Sequence, residues 1–373
     1  MNDIKHIKND IYKVLEKGIK NKVFAGAVAA VGIGNGEKSI KIESMCGNSS
    51  IYPQQEEIGK DYYFDLASLT KPLATTLAVL CLIKIKKLDL DEKLPDLLER
   101  KIEGKKKEIK LRNLLSHSSG LPAYREYFNY IAHENYDDFN IKLLNKIIDE
   151  PLNNVTGKKA EYSDLGFMLL GMIIEKKSGV KFDEFVKNNI FMPLKLEDKL
   201  FFNRLPFVIK GDKKFVATEK CMWRKKVLVG EVSDENAYAM GGVSGHAGLF
   251  GNIEGVLSLT LNILDQWKGR KKHSNYKSSD LKKFLNRQKE IEENTWALGF
   301  DTPSLKKSSG GDYLSPLSVG HLGFTGTSFW IDPTRDLVMI LLTNRIHPNR
   351  NNEKIKEFRP YFHNTIMESL GFV

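Results

Sequence analysis

An α/β (α+β) fold is predicted: an antiparallel sheet flanked by helices and interrupted by a mostly helical insertion. Three observations carry that prediction. Short apolar runs that suit strands sit at both ends of the chain, near residues 23–46 and 325–343. From about 88 to 224, helix-like segments are divided by glycine-, proline- and asparagine-rich turns. No parallel βαβ repeat and no solenoid period is present. The expected division is a sheet domain from residues 1–87 and 225–373, a helical domain from 88–224, and an active site at their interface.

Taken in order, MNDIKHIKNDIYKVLEKGI places Ile4, Ile7, Ile11 and Leu15 on one helical face. VFAGAVAAV (23–31) and KSIKIESMC (38–46) follow as strands. The intervening GIGNGE tolerates left-handed turns, so an antiparallel hairpin is expected. Residues 73–85 read as a mostly buried helix with a basic exit that suits a helix C-terminus. Pro72 cannot donate to the Ser68 carbonyl, so the first turn is expected to be distorted. Helices are predicted near 109–115, 136–149, 162–177 and 182–189. Glycine-rich AMGGVSGHAGLFGN (239–252) precedes a helix over 253–267, and lysine-rich 270–294 reads as peripheral. Residues 313–319 are expected to approach the site as a strand. Residues 325–331 and 337–343 should pair around DPTRD, with Trp330 beneath the sheet, and 352–370 should close the chain as a helix.

A chain of 373 residues can bury a substantial core, and its 41% hydrophobic and 10% aromatic content exclude disordered and fibrous classes. Lysine and arginine (57) exceed aspartate and glutamate (47) to give a net charge of +10. The basic residues are spread along the chain, with local runs at 84–87, 101–110 and 270–272. No nucleic-acid motif accompanies them, so they read as solvated faces and no nucleic-acid partner is expected. Cys46, Cys81 and Cys221 are isolated and odd in number, which suggests neither a disulfide framework nor a cysteine-based metal site. No other cluster has metal-ligand spacing, and no metal or cofactor is expected. The N-terminus lacks a signal-peptide h-region, and the apolar stretches read as too short or interrupted to span a membrane. Cytoplasmic residence is the expectation on this sequence, extracytoplasmic if an export segment has been removed. A monomer is the default.

The chemistry-bearing group is Ser68-Leu69-Thr70-Lys71, at the head of the apolar helix. Residues i and i+3 share a helical face, so the lysine amine can reach the hydroxyl and activate it as a nucleophile. Tyr162-Ser163-Asp164 opens a second apolar helix. Tyr162 can relay a proton to a leaving group, especially beside a cation that lowers its pKa, and Asp164 can neutralise Lys71. The alternatives are packing for Tyr162 and a helix cap for Ser163 or Asp164. His321-Leu322-Gly323 leads toward a strand in LSVGHLGFTGTSFWIDP. The Phe324 N–H just beyond it can pair with the Ser68 N–H as an oxyanion hole. His321 can add positive charge or a hydrogen bond near the leaving side. His117 reads as a turn anchor. His246, in GGVSGHAG, stands evenly between substrate contact and scaffold. A Ser-His-Asp triad is the competing reading, but no GxSxG elbow is present.

Together these groups resemble the penicillin-recognising serine hydrolases. That family includes class C beta-lactamases, low-molecular-weight penicillin-binding proteins, D-amino-acid-releasing peptidases and beta-lactamase-like esterases. The resemblance runs from about Val23 to the C-terminus. Ser68 and Lys71 match the nucleophile motif, Tyr162 and Asp164 the ends of Tyr-x-Asn, and His321 and Gly323 the ends of Lys-Thr-Gly. LLSHSSGLP (114–122) and ENAYAMGGVSGHAGLF (235–250) also look like family segments, the latter closest to the muramyl-L-alanine amidase and penicillin-binding-protein-4B-like branch. The resemblance implies a beta-lactamase/transpeptidase-like fold and an acyl-enzyme mechanism. Three departures bear on substrate: Asp164 replaces an amide, His321 a lysine and Leu322 a threonine. A neutral imidazole would hold a beta-lactam carboxylate less well than a lysine.

The first expectation is thus a serine amidase or peptidase acting on a cell-wall-derived peptide, with beta-lactams as covalent ligands. A short-chain carboxylesterase and a slowly deacylating penicillin-binding or sensing module are the alternatives. Relative specificity for esters and muramyl peptides separates the first two, and the lifetime of a beta-lactam adduct identifies the third.

Overall fold

The structure is a computed structural model in which residues 2–34, 39–131, 136–207, 212–291 and 294–373 are described. Its strands are β1 (Gly26–Ile33), β2 (Ile40–Ser50), β3 (Glu56–Glu57), β4 (Phe64–Asp65), β5 (Leu200–Phe202), β6 (Ala217–Cys221), β7 (Lys226–Val229), β8 (Leu249–Gly251), β9 (Val319–Leu322), β10 (Ser328–Asp332) and β11 (Leu337–Thr343). The main sheet has the order β3-β2-β1-β11-β10-β9, with every neighbouring pair antiparallel. β1 and β11 meet at its centre, with Ala30 opposite Ile340. The two ends of the chain therefore build one sheet. Part of the turn expected between β1 and β2, residues 35–38, lies outside the described residues.

Side chains alternate across a strand, and here both faces are apolar. Val28, Ala30, Phe329, Ile331, Val338, Ile340 and Leu342 enter the large core shared with the Ile253–Trp267 helix and the rest of the molecule. Their neighbours Ala27, Ala29, Val31, Trp330, Leu337, Met339 and Leu341 enter a second core. The Asn2–Lys20 and Ile355–Ser369 helices cover that second face. Continuous burial on both faces explains why β11 reads as an unbroken apolar run.

The serine-bearing segment crosses the large core. Residues 67–69 form a 3₁₀ turn, Lys71–Thr76 a wide π turn, and Leu77–Lys84 a regular α-helix. The distortion expected from Pro72 is present: the ladder widens where its N–H is missing. Ala67–Lys84 is apolar enough over 18 residues to cross a bilayer by composition, contrary to expectation, yet 83% of it is buried inside the protein. It is a core helix.

The predicted helices at 136–149 and 253–267 occupy Tyr136–Asp149 and Ile253–Trp267, and 162–177 becomes Asp164–Ser178. Two expectations fail. The 270–294 segment is not peripheral, because its Ser278–Phe284 helix inserts Leu281 and Phe284 into the large core. Lysine content masked the apolar positions of a half-buried helix. Residues 313–318 form no strand, and Tyr313 packs against the second core instead of the site. Only Val319 begins β9.

Candidate active site

Short β4 pairs with β8 and brings Asp65 to the base of the serine turn. Asp65 accepts the Ala67 N–H at 2.8 Å and the Ser233 N–H at 2.6 Å. Burial pushes its carboxyl up to about 6 against those two hydrogen bonds. Ala67, immediately before the serine, has φ 46°, a left-handed conformation disfavoured for a residue with a Cβ. Such strain typically costs about 1–3 kcal/mol and persists where its surroundings over-determine it. Thr70 helps to do so, its hydroxyl donating to the Ala67 carbonyl at 2.6 Å and accepting the Leu249 N–H at 3.1 Å.

Ser68 Oγ lies 2.9 Å from Lys71 Nζ and 2.7 Å from the Tyr162 hydroxyl. Lys71 is fully buried; its Nζ is also 2.7 Å from Asp164 Oδ1 and donates to the His246 carbonyl at 3.0 Å. Burial lowers the Lys71 pKa from the usual ammonium value, with the Asp164 charge opposing. The expected lowering of the Tyr162 pKa is reversed. Burial, then the Asp164 charge, hold it well above the ordinary phenol value, so Tyr162 keeps its proton at neutral pH. Its O–H donates to Ser68 Oγ, which leaves the serine proton free to point at Lys71.

The Tyr162–Asp164 pair is fixed from behind. Ser163 is the N-cap of the Asp164–Ser178 helix and donates through its hydroxyl to the Pro122 carbonyl at 2.7 Å. His117 Nδ1 accepts the Ser163 N–H at 3.0 Å, as a turn anchor should. Its ring also packs on Tyr162 and Trp296, with centroids 4.7 and 4.4 Å away.

The glycine-rich loop reaches Lys71 because it has no side chain to separate it from the Asp164–Ser178 helix. A Cβ on Gly245 would lie 2.2 Å from the Phe167 carbonyl. The side chain of His246 is tied into the scaffold, with Nε2 2.9 Å from Asp234 and Nδ1 2.8 Å from Ser244, and it also lines the cavity beside Ser68. At Asp234, burial pushes the carboxyl up, but the His246, Ala237 and Lys71 interactions prevail and leave it at about 2.

His321 lies in β9 and Gly323 directly follows the strand, beside the serine turn. A Cβ on Gly323 would stand 2.8 Å from the Leu66 carbonyl and 2.0 Å from Thr327 Oγ1. Of the two roles open to His321, positive charge is disfavoured and hydrogen bonding remains: burial, then the Lys71 charge, push its pKa down to about 3. Nδ1 lies 2.8 Å from the Leu322 carbonyl and so carries the proton, leaving Nε2 as a buried acceptor with no hydrogen-bond partner among the described residues. Phe324 is 48% exposed.

Ser68, Tyr162, Asp164, His246, His321 and Phe324 line one cavity of about 670 Å³, with Lys71 buried behind Ser68. Sequence reasoning missed several of its walls, including Tyr124, Asp234, Trp296, Arg345 and Arg359. Asp234 had a local signal as a helix N-cap before ENAYA, whereas the others are brought in by long-range packing alone. Glu219, Cys221 and Glu235 bring potential metal-ligand atoms within 4.8 Å of one another, but Arg350 already ion-pairs both carboxylates.

Comparison with known proteins places this geometry. The family described as Beta-lactamase matches residues 15–359. The chain is 37% identical over 312 residues to an N-acetylmuramyl-L-alanine amidase of Bacillus subtilis (strain 168), covering 76% of this chain and 68% of the relative. It is 33% identical over 308 residues to an Escherichia coli (strain K12) protein provisionally named a D-alanyl-D-alanine carboxypeptidase, covering 76% and 69%. The solved structure of EstCE1, a hydrolase with promiscuous acyltransferase activity, shares the fold with a TM-score of 0.73 at 16% identity over 96% of this chain and all of that one. Because the Beta-lactamase family model matches residues 15–359 and the amidase and carboxypeptidase relatives are 37% and 33% identical, the chain belongs to the beta-lactamase family and is a serine hydrolase.

Proposed function

We propose that the protein hydrolyses an amide bond of a cell-wall-derived peptide through an acyl-enzyme on Ser68. The observation that carries this reading is the enclosure of Ser68 Oγ between Lys71 Nζ at 2.9 Å and the Tyr162 hydroxyl at 2.7 Å. Lys71, its ammonium form disfavoured by burial, accepts the serine proton as Oγ attacks the carbonyl carbon. The Ser68 and Phe324 N–H groups receive the developing oxyanion. No hydrogen bond occupies either N–H among the described residues, which suits that role. Tyr162 protonates the leaving nitrogen and regains a proton from Lys71. Water then attacks the ester by the reverse relay and frees Ser68. The substrate class is supported by likeness to the amidase and the carboxypeptidase.

A carboxylesterase is the second reading, favoured by the neutral His321 and by Leu322 on the cavity wall. Specificity constants for N-acetylmuramyl peptides and short p-nitrophenyl esters, with intact-mass detection of the acyl-enzyme, separate the two. Preferred turnover of the muramyl peptide supports the amidase. Ester turnover alone moves the assignment to the esterase. Equal acylation of the native chain and Ser68→Ala ends both.

A further inference from the structure

The Gly323–Phe324 peptide carries the N–H assigned above to the oxyanion, and its carbonyl is held by an unusual group. Arg359 Nη2 donates to the Gly323 carbonyl at 2.7 Å and to the Thr327 carbonyl at 2.8 Å. Arg359 is buried on the Ile355–Ser369 helix, and among the described residues no carboxylate lies within ion-pair distance of it. Among the described residues its Nε has no hydrogen-bond partner. A buried cation without an acid is costly, and an apolar side chain of similar length would fill the space at lower cost. Something other than stability accounts for a guanidinium there.

Geometry supplies a reason. In a trans peptide the C=O and N–H point in opposite directions. Fixing the Gly323 carbonyl on Arg359 therefore turns the Phe324 N–H away from the helix. The same carbonyl also accepts the Gly326 N–H at 3.0 Å, which closes the turn. Arg345 secures the next peptide, its Nε donating to the Phe324 carbonyl at 2.7 Å. A peptide whose carbonyl accepts a charged donor is polarised, and its N–H becomes the stronger donor.

We propose that Arg359 is a positioning residue of the oxyanion site, anchoring the Gly323–Phe324 peptide and strengthening its N–H toward negative charge that develops on the substrate. The inference rests on the reading of Ser68 as nucleophile and Phe324 N–H as oxyanion donor. Burial and the nearby Arg345 charge lower the Arg359 pKa to about 9, which still leaves it charged at neutral pH.

The test uses the full chain with p-nitrophenyl acetate as substrate and phenylboronic acid as a tetrahedral adduct of the serine. Arg359→Gln should lower kcat roughly 10–100-fold, a fraction of the loss from deleting an oxyanion donor outright, with KM within about threefold. Boronate affinity should fall by a similar factor. Arg359→Lys, which keeps the charge and one donor, should recover part of both. A folded Arg359→Gln with native kcat and boronate affinity overturns the proposal, as does a loss confined to KM. If Arg359→Gln does not fold, Arg359→Met, which fills the space without charge or donor, decides: native kcat and boronate affinity in that variant also overturn it. Ser68→Ala keeps the two layers apart. Native boronate binding in Ser68→Ala would refute the nucleophile assignment itself, whereas its loss there, beside an unaffected Arg359→Gln, would refute only the role of Arg359.

Discussion

Lys71 Nζ donates to the backbone carbonyl of His246, 175 positions away in sequence, at 3.0 Å. That contact, with Ser68 Oγ and Asp164 Oδ1, encloses the amine completely. Lys71→Ala should slow acylation by about 10²–10⁴-fold, the usual range for a lost proton acceptor. Ser68→Ala should abolish it with the melting temperature nearly unchanged. Intact-mass kinetics with a reactive ester checks both, and undiminished acylation of Lys71→Ala would remove the amine from the mechanism.

Asp164 raises the Lys71 pKa against the larger lowering by burial. Asp164→Asn removes that charge, so Lys71 loses its proton at lower pH. The ascending limb of kcat/KM against pH should move toward acid. A limb that stays in place or moves toward base would show that another group governs it.

His321 is neutral and offers an acceptor where the related motif has a lysine. His321→Lys should speed acylation by a carboxylate-bearing cephalosporin, by about tenfold for a gain of roughly 1.4 kcal/mol in transition-state binding. Stopped-flow absorbance reads this directly. No gain, in a folded variant, would place the carboxylate away from this strand.

Gly323→Ala puts a Cβ 2.8 Å from the Leu66 carbonyl and 2.0 Å from Thr327 Oγ1. The clash should cost about 1–3 kcal/mol in urea unfolding. It should also displace the Phe324 N–H, so activity is expected to fall further than stability. Wild-type turnover in a folded variant would contradict the close approach of β9 to the serine turn.

Acid should destabilise the protein through its buried histidines. His321 and His363 are lowered from 6.5 to about 3 and His273 to about 4, in each case mainly by burial. Below pH 6.5 the unfolded chain binds protons at these sites that the native state refuses, so stability is complete above 6.5 and declines toward 4. Asp65 and Asp301, raised from 3.8 to about 6 by burial, oppose this by taking up native-state protons over part of the same range. The histidines outnumber them. His321→Gln should therefore flatten the decline of the urea midpoint between pH 6.5 and 4, and an unchanged slope would contradict its burial in the neutral form.

The central sheet was legible because a strand buried on both faces needs an unbroken apolar run, and 337–343 has one. The SxxK and Tyr-Ser-Asp groups were legible for a related reason: each interrupts an apolar helix start with groups that are costly to bury unpaired. Less visible was the 278–284 helix, whose lysines hide Leu281 and Phe284. The 313–318 segment misled because Tyr313 and Leu314 serve the back of the sheet, while Leu317 is exposed.

The sequence by itself singled out the side chains proposed to carry the chemistry: the spacing of Ser68 and Lys71 puts a hydroxyl and an amine on one helical face, and the family resemblance adds the Tyr162 phenol. Tertiary structure alone decided their ionisation. Tyr162 goes up instead of down, and His321, open in sequence between charge and hydrogen bonding, is neutral, because burial and the neighbouring charges act through distances that spacing along a chain does not encode. The backbone contributions, from the left-handed Ala67 to the His246 carbonyl and the peptide held by Arg359, depend on segments meeting from across the fold. A main-chain atom looks the same in every residue, so only packing can give it a role.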